Sequence, residues 1–303
     1  MSLNSINTNI SAQVALQSLN MTSSELQATQ KRISTGYRVA DASDDGAAFA
    51  VAQRVRADVG ALTSVNEQLG NAKGLVTTSM SALGKISDSV NQAQKLLVQI
   101  GSNTTTQDQR DQYVTSYKQI VSQVADYVDH SKYNGQSLLG DVAGGPVAGA
   151  SKTVISSETG STKTLSAEDV SGLANTLAGL IGSTFSRSAG GADSFGTIAA
   201  GADQTSAATA LSATTGTTAF STALKSVADK TNQIGSDSNA LDATISFNSS
   251  KMDSLNAGLG ALIDTDLSKE SAKLQALQIK QQLGTQALSM ANQAPQSLMS
   301  LFK

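Results

Sequence analysis

Cysteine is absent from the 303-residue sequence, and His130 is its single histidine. The absence of cysteine excludes disulfides, thiolate metal sites and cysteine nucleophiles. Zinc peptidases and hydrolases with a Ser-His-Asp triad need histidines in sets or with fixed partners, so one histidine leaves little room for either class. Enzymes that act through carboxylates alone are the class of catalyst that the composition leaves open.

Charged and aromatic residues are also scarce. They make up 15% and 4% of the chain, whereas about 25% of residues are charged in an average globular protein. The 21 lysines and arginines against 24 aspartates and glutamates give a net charge of −3, which provides no basic surplus to attract nucleic acid or an anionic membrane. Residues 1–30 contain no lysine or arginine, and no run approaches the roughly 18 apolar residues of a membrane span. We expect a soluble chain, or one exported without cleavage of a signal peptide.

Proline is nearly absent, which favours long helices. Pro146 and Pro295 are the only two prolines. An apolar residue recurs at every seventh position from Ala12 to Ile33 and again from Val55 to Leu97. This spacing predicts long paired helices, of which the second covers about residues 44–101 and is about 87 Å long. Because a compact globule of this chain length is only about 50 Å across, we expect an elongated molecule.

Three further long helices are predicted from apolar periodicity. One covers about residues 108–131, a second follows alternating steps of three and four residues from Leu224 to Leu262, and a third starts after Asp264-Thr265-Asp266 and ends at Pro295. The predicted core of the rod that these helices form consists of Val55, Leu62, Leu69, Val76, Leu83, Val90, Leu97, Leu241, Ile245, Met252, Leu255 and Leu259.

Residues 141–216 differ from the rest because glycine, alanine, serine and threonine dominate them. Lys152–Leu165 has the pattern of a β-hairpin. Ser166 with Asp169 has the pattern of a capping box that opens a short helix toward Leu180. The chain is therefore expected to be helical at both ends, with one irregular region in the middle.

The two chain ends lack charge. Residues 1–24 and 281–302 contain no charged side chain, although a solvated helix face normally carries several. Serine, threonine, asparagine and glutamine take their place, and these can be buried at far lower cost than ions. We infer that the termini pair with each other, are largely disordered before assembly, and gain most of their stability from neighbouring copies; a monomeric helical bundle with polar termini is the alternative. The predicted assembly seam consists of Ile6, Ile10, Leu16, Leu19, Leu26, Ile33, Leu267, Leu274, Leu277, Leu288 and Leu298.

Three local features concern helix ends. Asp41, Asp44 and Asp45 lack the alternating spacing of a calcium loop, so we expect them to cap a helix. Gly36 is expected to end the first helix at positive φ. His130 is expected to be a capping or surface residue at a helix end.

Several motifs occur in a fixed order at the two ends of the chain. They are Ile6-Asn7-Thr8-Asn9, Lys31-Arg32-Ile33-Ser34-Thr35-Gly36-Tyr37-Arg38-Val39, Tyr133-Asn134-Gly135-Gln136-Ser137-Leu138-Leu139, Asp264-Thr265-Asp266 and Ala291-Asn292-Gln293-Ala294-Pro295-Gln296-Ser297-Leu298. Together they resemble the signature segments of bacterial flagellin, across about residues 1–140 and 217–303. An ordered set at both ends is far more specific than one short pattern.

This resemblance implies a fold class that is mainly α, an elongated discontinuous coiled-coil rod formed by both termini, with a small α/β or β-containing central insertion. Residues 1–43 and 264–303 would form an inner terminal helical domain. Residues 44–140 and 217–263 would form the coiled-coil rod domain, and residues 141–216 a variable surface domain.

The resemblance also implies a function and partners. The chain would be a structural subunit of the extracellular flagellar filament, exported unfolded and ordered on assembly, with other subunits, an export chaperone, the filament cap and hook–filament junction proteins as partners. No enzyme activity, cofactor, nucleic acid or membrane is implied. Gln92 and Ser122-Gln123 stand where receptor-recognised members carry an arginine and an acidic pair, although Leu96 is retained. We therefore predict weak recognition by Toll-like receptor 5.

Other classes of protein share parts of this pattern. A hook–filament junction protein has similar ends and is the main alternative; its low copy number would distinguish it. A chemoreceptor-like signalling coil also uses heptads of alanine, serine and glutamine, but it needs a membrane span or a sensor domain. An enzyme is the poorest interpretation.

Overall fold

The computed structural model describes residues 9–142, 151–199, 201–212 and 220–301, with side chains described as far as residue 293. The chain is mainly α-helical with β-hairpins in the central segment, which confirms the predicted fold class. The helices are α1 (Ile10–Thr35), α2 (Gly46–Gly101), α3 (Gln107–Asp129), α4 (Leu173–Gly179), α5 (Ala202–Ser212), α6 (Phe220–Ile263) and α7 (Leu267–Leu301). The strands are β1 (Lys152–Ile155), β2 (Thr162–Leu165), β3 (Phe185–Arg187) and β4 (Asp193–Phe195).

The chain divides into two compact units. One combines Met1–Gly60 with Met252–Lys303, and the other is Ala61–Lys251. The first unit therefore draws on both ends of the chain and contains α1 and α7, whereas the second contains α3 and the central segment. These limits differ from those of the three predicted domains, which stay a prediction.

Local backbone chemistry sets the helix ends. Gly36 has a φ of 74°, and its N–H donates to the Arg32 carbonyl, which ends α1 in the left-handed conformation that glycine adopts without strain. Asp45 directly precedes α2, and its carboxylate accepts hydrogen bonds from two N–H groups of the first turn, at 3.1 and 3.0 Å. Thr106 opens α3 with a capping box, and His130 is the C-cap residue of the same helix. The end-capping roles predicted for Gly36, for an aspartate and for His130 are confirmed.

The core of the unit Ala61–Lys251 is built on one face of α2. Every seventh residue of this helix from Leu62 to Leu97 is fully buried. Helices α3 and α6 add large side chains to the same cluster, including Tyr117 and Leu241. The Tyr117 hydroxyl donates to the Leu177 carbonyl at 3.0 Å, so its buried polar atom is satisfied. Burial raises the pKa of Tyr117 well above the usual tyrosine value.

The central segment contains two β-hairpins. The predicted hairpin over Lys152–Leu165 is present, and β1 pairs antiparallel with β2 across its full length. A second hairpin, β3–β4, pairs Phe185 with Phe195, whose rings lie 5.2 Å apart in a T-shaped arrangement. Strand β4 and helix α5 lie where apolar side chains are too sparse for a sequence pattern to indicate them.

The capping box predicted at Ser166 and Asp169 is wrong. Helix α4 begins only at Leu173, and its N-cap residue makes no side-chain hydrogen bond. The preceding backbone pairs instead with the segment that follows α3: the Val170 N–H donates to the Leu139 carbonyl at 2.9 Å. Because these backbone groups are already bonded outside a helix, the helix starts later.

A nearly buried arginine attaches the β3–β4 hairpin to α3. The Arg187 side chain is 3% exposed, and its guanidinium bonds both carboxylate oxygens of Asp193 in β4, at 2.5 and 2.9 Å. It also bonds Asp126 and Asp129 of α3 at 2.9 and 2.8 Å, and the Ser122 carbonyl at 3.3 Å. The hydrogen bonds to Asp193 are the main cause that raises the pKa of Arg187. Because a buried charge needs such full pairing, the hairpin is held over α3 near Ser122.

Helix α7 continues to Leu301, so the prediction that it ends at Pro295 is wrong. Proline has no backbone N–H, which leaves the Ala291 carbonyl, four residues earlier, without its usual helical partner. The side chain of Asn9 supplies a donor, with Nδ2 at 2.7 Å from the Ala291 oxygen. The helix passes the proline because the freed carbonyl is bonded from outside the helix.

Candidate assembly interface

Helices α1 and α7 lie against each other and run antiparallel. Leu19 of α1 packs on Gly284 of α7, and Arg32, further along α1, bonds to Glu270, nearer the start of α7, at 3.3 Å. A Cβ atom at position 284 would lie 3.2 Å from Leu19 Cδ1, which is tighter than ordinary contact. Gly284 therefore allows the two helices to approach closely at this point.

The predicted seam residues differ in how far a single chain buries them. Six are buried or half-buried: Leu19, Leu26, Ile33, Leu274, Leu277 and Leu288. Three are about half exposed: Ile10, Leu16 and Leu267, at 48%, 47% and 51%. Ile6 lies outside the described residues and Leu298 outside the described side chains. Among the side chains described in the two helices, only those of Thr29 and Leu277 are fully buried.

All twelve predicted rod-core residues are buried or half-buried. Seven are fully buried: Leu62, Leu69, Val76, Leu83, Val90, Leu97 and Leu241. Five are half-buried: Val55, Ile245, Met252, Leu255 and Leu259.

Each terminal helix has a second apolar stripe, of which the predicted seam contains only Ile10. On α1 the stripe consists of Ile10, Val14 and Met21, which are 48%, 60% and 61% exposed. On α7 it consists of Ile279, Leu283 and Met290, which are 59%, 58% and 66% exposed. We call these sets the α1 stripe and the α7 stripe.

The two stripes have the same geometry. In both, the second residue follows the first by four positions and the third follows the second by seven, so the three side chains lie on one side of a helix. The seven-residue steps of the seam describe only the faces that α1 and α7 turn to each other. The signal that could have revealed the stripes is the presence of large apolar residues on a second face of each helix, where a solvated face normally carries polar residues.

The surface around the α1 stripe is polar but uncharged. A shallow groove of about 900 Å³ runs along it, lined by Val14, Met21 and glutamine, asparagine and serine side chains, with Glu25 at its end. Such a surface combines apolar contact with neutral hydrogen-bonding groups. It can be covered by another protein surface without the cost of burying an ion.

Two short non-helical segments of this unit, one after α1 and one before α7, bond to each other and form a junction. The N–H groups of Arg38 and Val39 donate to the Ile263 carbonyl at 2.6 and 3.3 Å, and the Thr265 N–H donates to the Gly36 carbonyl at 3.0 Å. Val39 and Ile263 also belong to a small apolar cluster, which Ala48 and Ala52 complete. The junction therefore joins residues that are more than 220 positions apart in sequence.

Charged groups hold the loop between α1 and α2. Lys31 Nζ lies 2.5 Å from Asp41 Oδ2 and 3.2 Å from Asp44 Oδ2. The hydrogen bond from Lys31 is the main cause that lowers the pKa of Asp41. For Asp44 the main cause is the Ala40 N–H, followed by Lys31, and the two carboxylates raise the pKa of Lys31. These aspartates are thus engaged within one chain.

No group of three or more histidine, cysteine, aspartate or glutamate side chains that could hold a metal ion occurs in the described ranges. Among the helices described, none is both long enough and apolar enough to cross a membrane. Helices α1 and α7 offer exposed apolar side chains for packing.

Comparison with known proteins identifies this architecture. The family profile described as bacterial flagellin N-terminal helical region matches residues 6–143, and the one described as bacterial flagellin C-terminal helical region matches residues 217–302. The chain belongs to the bacterial flagellin family. It is 34% identical to flagellin FljK of Caulobacter vibrioides over the full length of both chains. It is 35% identical to a flagellin of Brucella melitensis over 99% of both chains.

The family membership establishes the coarse function. This flagellin is a structural subunit of the bacterial flagellar filament and not an enzyme. Because these relatives are named flagellins, the alternative that the chain is a hook–filament junction protein is disfavoured. A crystal structure of Bacillus cereus flagellin covers 60% of this chain and 88% of its own, at 22% identity and a TM-score of 0.46. The family assignment rests on the sequence relatives and not on that structure.

The charges of the α1–α2 loop predict a pH dependence. The pKa values of Asp41 and Asp44 are lowered in the folded chain, so their contribution to stability is present above about pH 4, the ordinary aspartate value. It is lost as the pH falls through the lowered folded values. The pKa of Lys31 is raised, so its contribution is present below about pH 10 and is lost as the pH rises through the folded value.

We expect Asp41 to remain ionised at pH 4 in wild-type filaments and to be more protonated at that pH in a Lys31→Gln variant. The variant loses the largest cause that lowers the pKa of Asp41 but keeps the hydrogen bonds from Ser43. Solid-state NMR of filaments with labelled aspartate carboxyls measures this difference. Lys225→Gln is the matched control, because Lys225 pairs with an aspartate on an exposed helix surface elsewhere. An Asp41 signal that is unchanged by Lys31→Gln would show that the ion pair does not form in solution.

Proposed function

We propose that this flagellin polymerises by burying the α1 stripe and the α7 stripe against neighbouring subunits. The observation that carries the proposal is that Val14, Met21, Leu283 and Met290 are about 60% exposed. The charged residues within one helical turn of these four are Glu25 and Lys280. Burying a large apolar side chain contributes about 1.5–3 kcal/mol. Six such residues on each copy provide a substantial driving force for association.

The two stripes differ in residue type and lie on different helices. A contact between the α1 stripe of one copy and a different surface of the next is heterologous, and heterologous contacts that do not close into a ring produce open helical assemblies. A filament is such an assembly. We assign the predicted inner terminal domain, residues 1–43 and 264–303, to this interface, with residues 44–140 and 217–263 as the rod and 141–216 as the surface domain.

We also propose that the chain ends are exported unfolded and order when the filament forms. The support is the small amount of burial that one chain achieves between α1 and α7. The Thr29 hydroxyl and one Glu270 carboxylate oxygen are buried without a hydrogen-bond partner among the described residues, and each such group costs about 1–3 kcal/mol. A helix pair with so little buried surface is marginal in water.

Charge placed in a stripe tests the interface. We expect Val14→Glu and Leu283→Glu each to raise the critical concentration for polymerisation at least tenfold, because an unpaired buried carboxylate costs several kcal/mol. Sedimentation of filaments grown from sheared seeds measures the critical concentration. Val14→Ile, which keeps the surface apolar, is the matched control and is expected to polymerise within about twofold of wild type.

The fold of the monomer provides the second control for this experiment. Residues 14 and 283 lie outside the unit Ala61–Lys251, so the circular dichroism and melting of that unit should not change. Wild-type polymerisation by both glutamate variants would refute the proposed interface.

Hydrogen exchange tests the ordering of the ends. We expect amides of residues 10–35 and 267–293 to exchange rapidly in the monomer and to be protected in the filament by at least a hundredfold. Amides of α2 from Leu62 to Leu97 serve as the internal reference, because their side chains are buried in both states. Protection of the terminal helices in dilute monomer would contradict ordering on assembly.

The export chaperone, the filament cap and the hook–filament junction proteins are proposed as further partners from family membership. The α7 stripe is the surface we assign to the chaperone, because an unfolded or helical segment with Ile279, Leu283 and Met290 offers apolar anchors at helical spacing. A chaperone that binds the wild-type chain and the Leu283→Glu variant equally would remove this assignment.

Recognition by Toll-like receptor 5 is proposed to be weak. Gln92 is exposed in place of an arginine, and Leu96 is half-buried. The Ser122 carbonyl already accepts from Arg187 of the β3–β4 hairpin, so that hairpin stands beside the α3 position expected to carry an acidic pair. We expect depolymerised monomer to activate receptor-reporter cells at least tenfold less than a flagellin that carries all three charged residues. Equal potency would overturn the expectation.

A further inference from the structure

The carbonyl of Ala291 differs from its neighbours in α7. In a regular helix each carbonyl accepts from the N–H four residues later. Position 295 is the proline of this helix, so the Ala291 carbonyl has no such donor. Away from the last turn, it is the one carbonyl of α7 that the sequence leaves free for a partner on another element.

The Asn9 side chain occupies that free acceptor. Its Nδ2 donates to the Ala291 oxygen at 2.7 Å, while its Oδ1 accepts from the Ala12 N–H at 3.0 Å. Asn9 is also the N-cap residue of α1, with an extended backbone at φ −91° and ψ 90°. One amide group thus serves the start of α1 with its acceptor and the freed carbonyl of α7 with its donor.

Asparagine suits this position better than the other common N-cap residues. Aspartate and serine also cap helices well through a side-chain oxygen. An ionised aspartate has no donor, and its charge would face the Ala291 carbonyl. Serine caps with its oxygen but is too short to place a second polar atom 2.7 Å from Ala291 at the same time. The primary amide provides both functions in one group.

The remaining contacts between α1 and α7 select their register less strongly. The apolar seam repeats every seven residues in α1, where Leu19 and Leu26 are equivalent. The buried and half-buried residues of α7 between positions 274 and 291 are leucine, glycine or alanine apart from Gln281. A slip of one heptad would place Leu26 rather than Leu19 on Gly284 and would preserve most of the apolar contact. It would separate Arg32 from Glu270, and it would move Asn9 away from the Ala291 carbonyl.

We propose that Asn9 and Pro295 form a register lock between the two ends of the chain. Pro295 creates a unique acceptor at Ala291, and Asn9 recognises it while capping α1. The lock fixes the position of the α1 stripe along the axis of α7, but it does not depend on those stripes forming the filament interface. Asn9 is a positioning residue for assembly.

A disulfide reporter measures the register directly, because the wild-type chain contains no cysteine. A Cβ atom at position 284 lies 4.0 Å from Leu19 Cβ, within the usual Cβ–Cβ range of disulfides. The pair Leu19→Cys with Gly284→Cys reports the native register. The pair Leu26→Cys with Gly284→Cys reports a slip of one heptad.

The experiment compares the two reporters in filaments. Chains with a reporter pair are doped at low fraction into wild-type filaments, so that a variant with weak self-assembly is still measured in an ordered lattice. With Asn9 present, we expect mild oxidation to cross-link the native pair at least tenfold faster than the slipped pair. We expect Asn9→Asp and Asn9→Ser each to reduce this ratio about fivefold, since a net hydrogen bond contributes about 1 kcal/mol and each 1.4 kcal/mol is tenfold.

The Pro295→Ala variant tests whether the effect of Asn9 depends on the free Ala291 carbonyl. Alanine restores the N–H at position 295, which bonds the Ala291 carbonyl within α7 and removes the free acceptor. In this background we expect Asn9→Ser to change the cross-linking ratio by less than twofold. An equal effect of Asn9→Ser with proline or alanine at position 295, or no effect with proline, would refute the lock.

The control variants distinguish loss of the N-cap oxygen of α1 from loss of the hydrogen bond between residue 9 and the Ala291 carbonyl. Asn9→Ser retains an N-cap oxygen and adds no charge, so a fall in the ratio shared by serine and aspartate reports the lost donor. A fall with aspartate alone would report repulsion and would contradict the proposal. The cross-linking ratio is measured inside wild-type filaments. It therefore tests the register lock even if Val14→Glu and Leu283→Glu polymerise normally and the proposed interface is refuted.

Discussion

The contact between α1 and α7 is incomplete within one chain, and the behaviour of both ends follows from this. Leucines from each helix are half-buried between them, yet only Thr29 and Leu277 are fully buried among the described side chains. Folding the pair costs conformational entropy of about 1–2 kcal/mol per residue. Because so little burial does not offset that cost, we propose that surfaces of other copies stabilise these helices.

Hydroxyl side chains make such helices compatible with both water and burial. Thr22 and Ser24 of α1 donate to the carbonyls of Ser18 and Asn20, four residues earlier, at 2.9 and 3.1 Å. The fully buried Ser79 of α2 makes the same bond within its helix at 2.9 Å. A hydroxyl satisfied in this way needs no partner from a neighbour. The scarcity of charge in the sequence therefore has a structural use, since these faces can be covered without leaving an ion unpaired.

Sequence periodicity predicted the features that depend on repeated burial. The seven-residue spacing from Leu62 to Leu97 identified buried positions because a long helix must repeat its contacts with the core. The hairpin over Lys152–Leu165 was likewise predictable, since alternating residues surround a turn sequence. Most of the half-buried leucines between α1 and α7 were in the predicted seam. Apart from Ile10, the seam heptads did not contain the α1 and α7 stripes, which lie on a second face of each helix and are exposed in the single chain.

The predictions that failed depended on single contacts between distant residues. Helix α7 passes Pro295 because the Asn9 side chain bonds a carbonyl 282 positions away. Helix α4 starts late because the Val170 N–H is already bonded to Leu139. Strand β3 is held by Arg187, whose partners come from β4 and α3. A local pattern contains no information on such contacts, so the tertiary structure overrides the local propensity.

Unlike the helices at the chain ends, the unit Ala61–Lys251 buries a large apolar cluster within one chain. Its apolar cluster joins α2, α3 and α6 with side chains of the central segment, including Leu177 and Phe185. Asn248, 2% exposed, adds a polar contact there: its Nδ2 donates to Asn66 Oδ1 at 3.2 Å and to the Ser156 carbonyl at 3.1 Å. A buried polar pair between helices specifies register, because a slip would leave it unsatisfied.

The central segment therefore contributes side chains to the apolar core of this unit. Tyr117 of α3 is fully buried and bonds the Leu177 carbonyl of α4, so removing the segment would expose an aromatic side chain and leave its hydroxyl without this partner. Residues of such a segment can vary where they face solvent, but its anchors to α3 and α6 are constrained by the same packing as the rod helices. This unit completes its burial within one chain, whereas the terminal helices keep large apolar side chains exposed in the single chain.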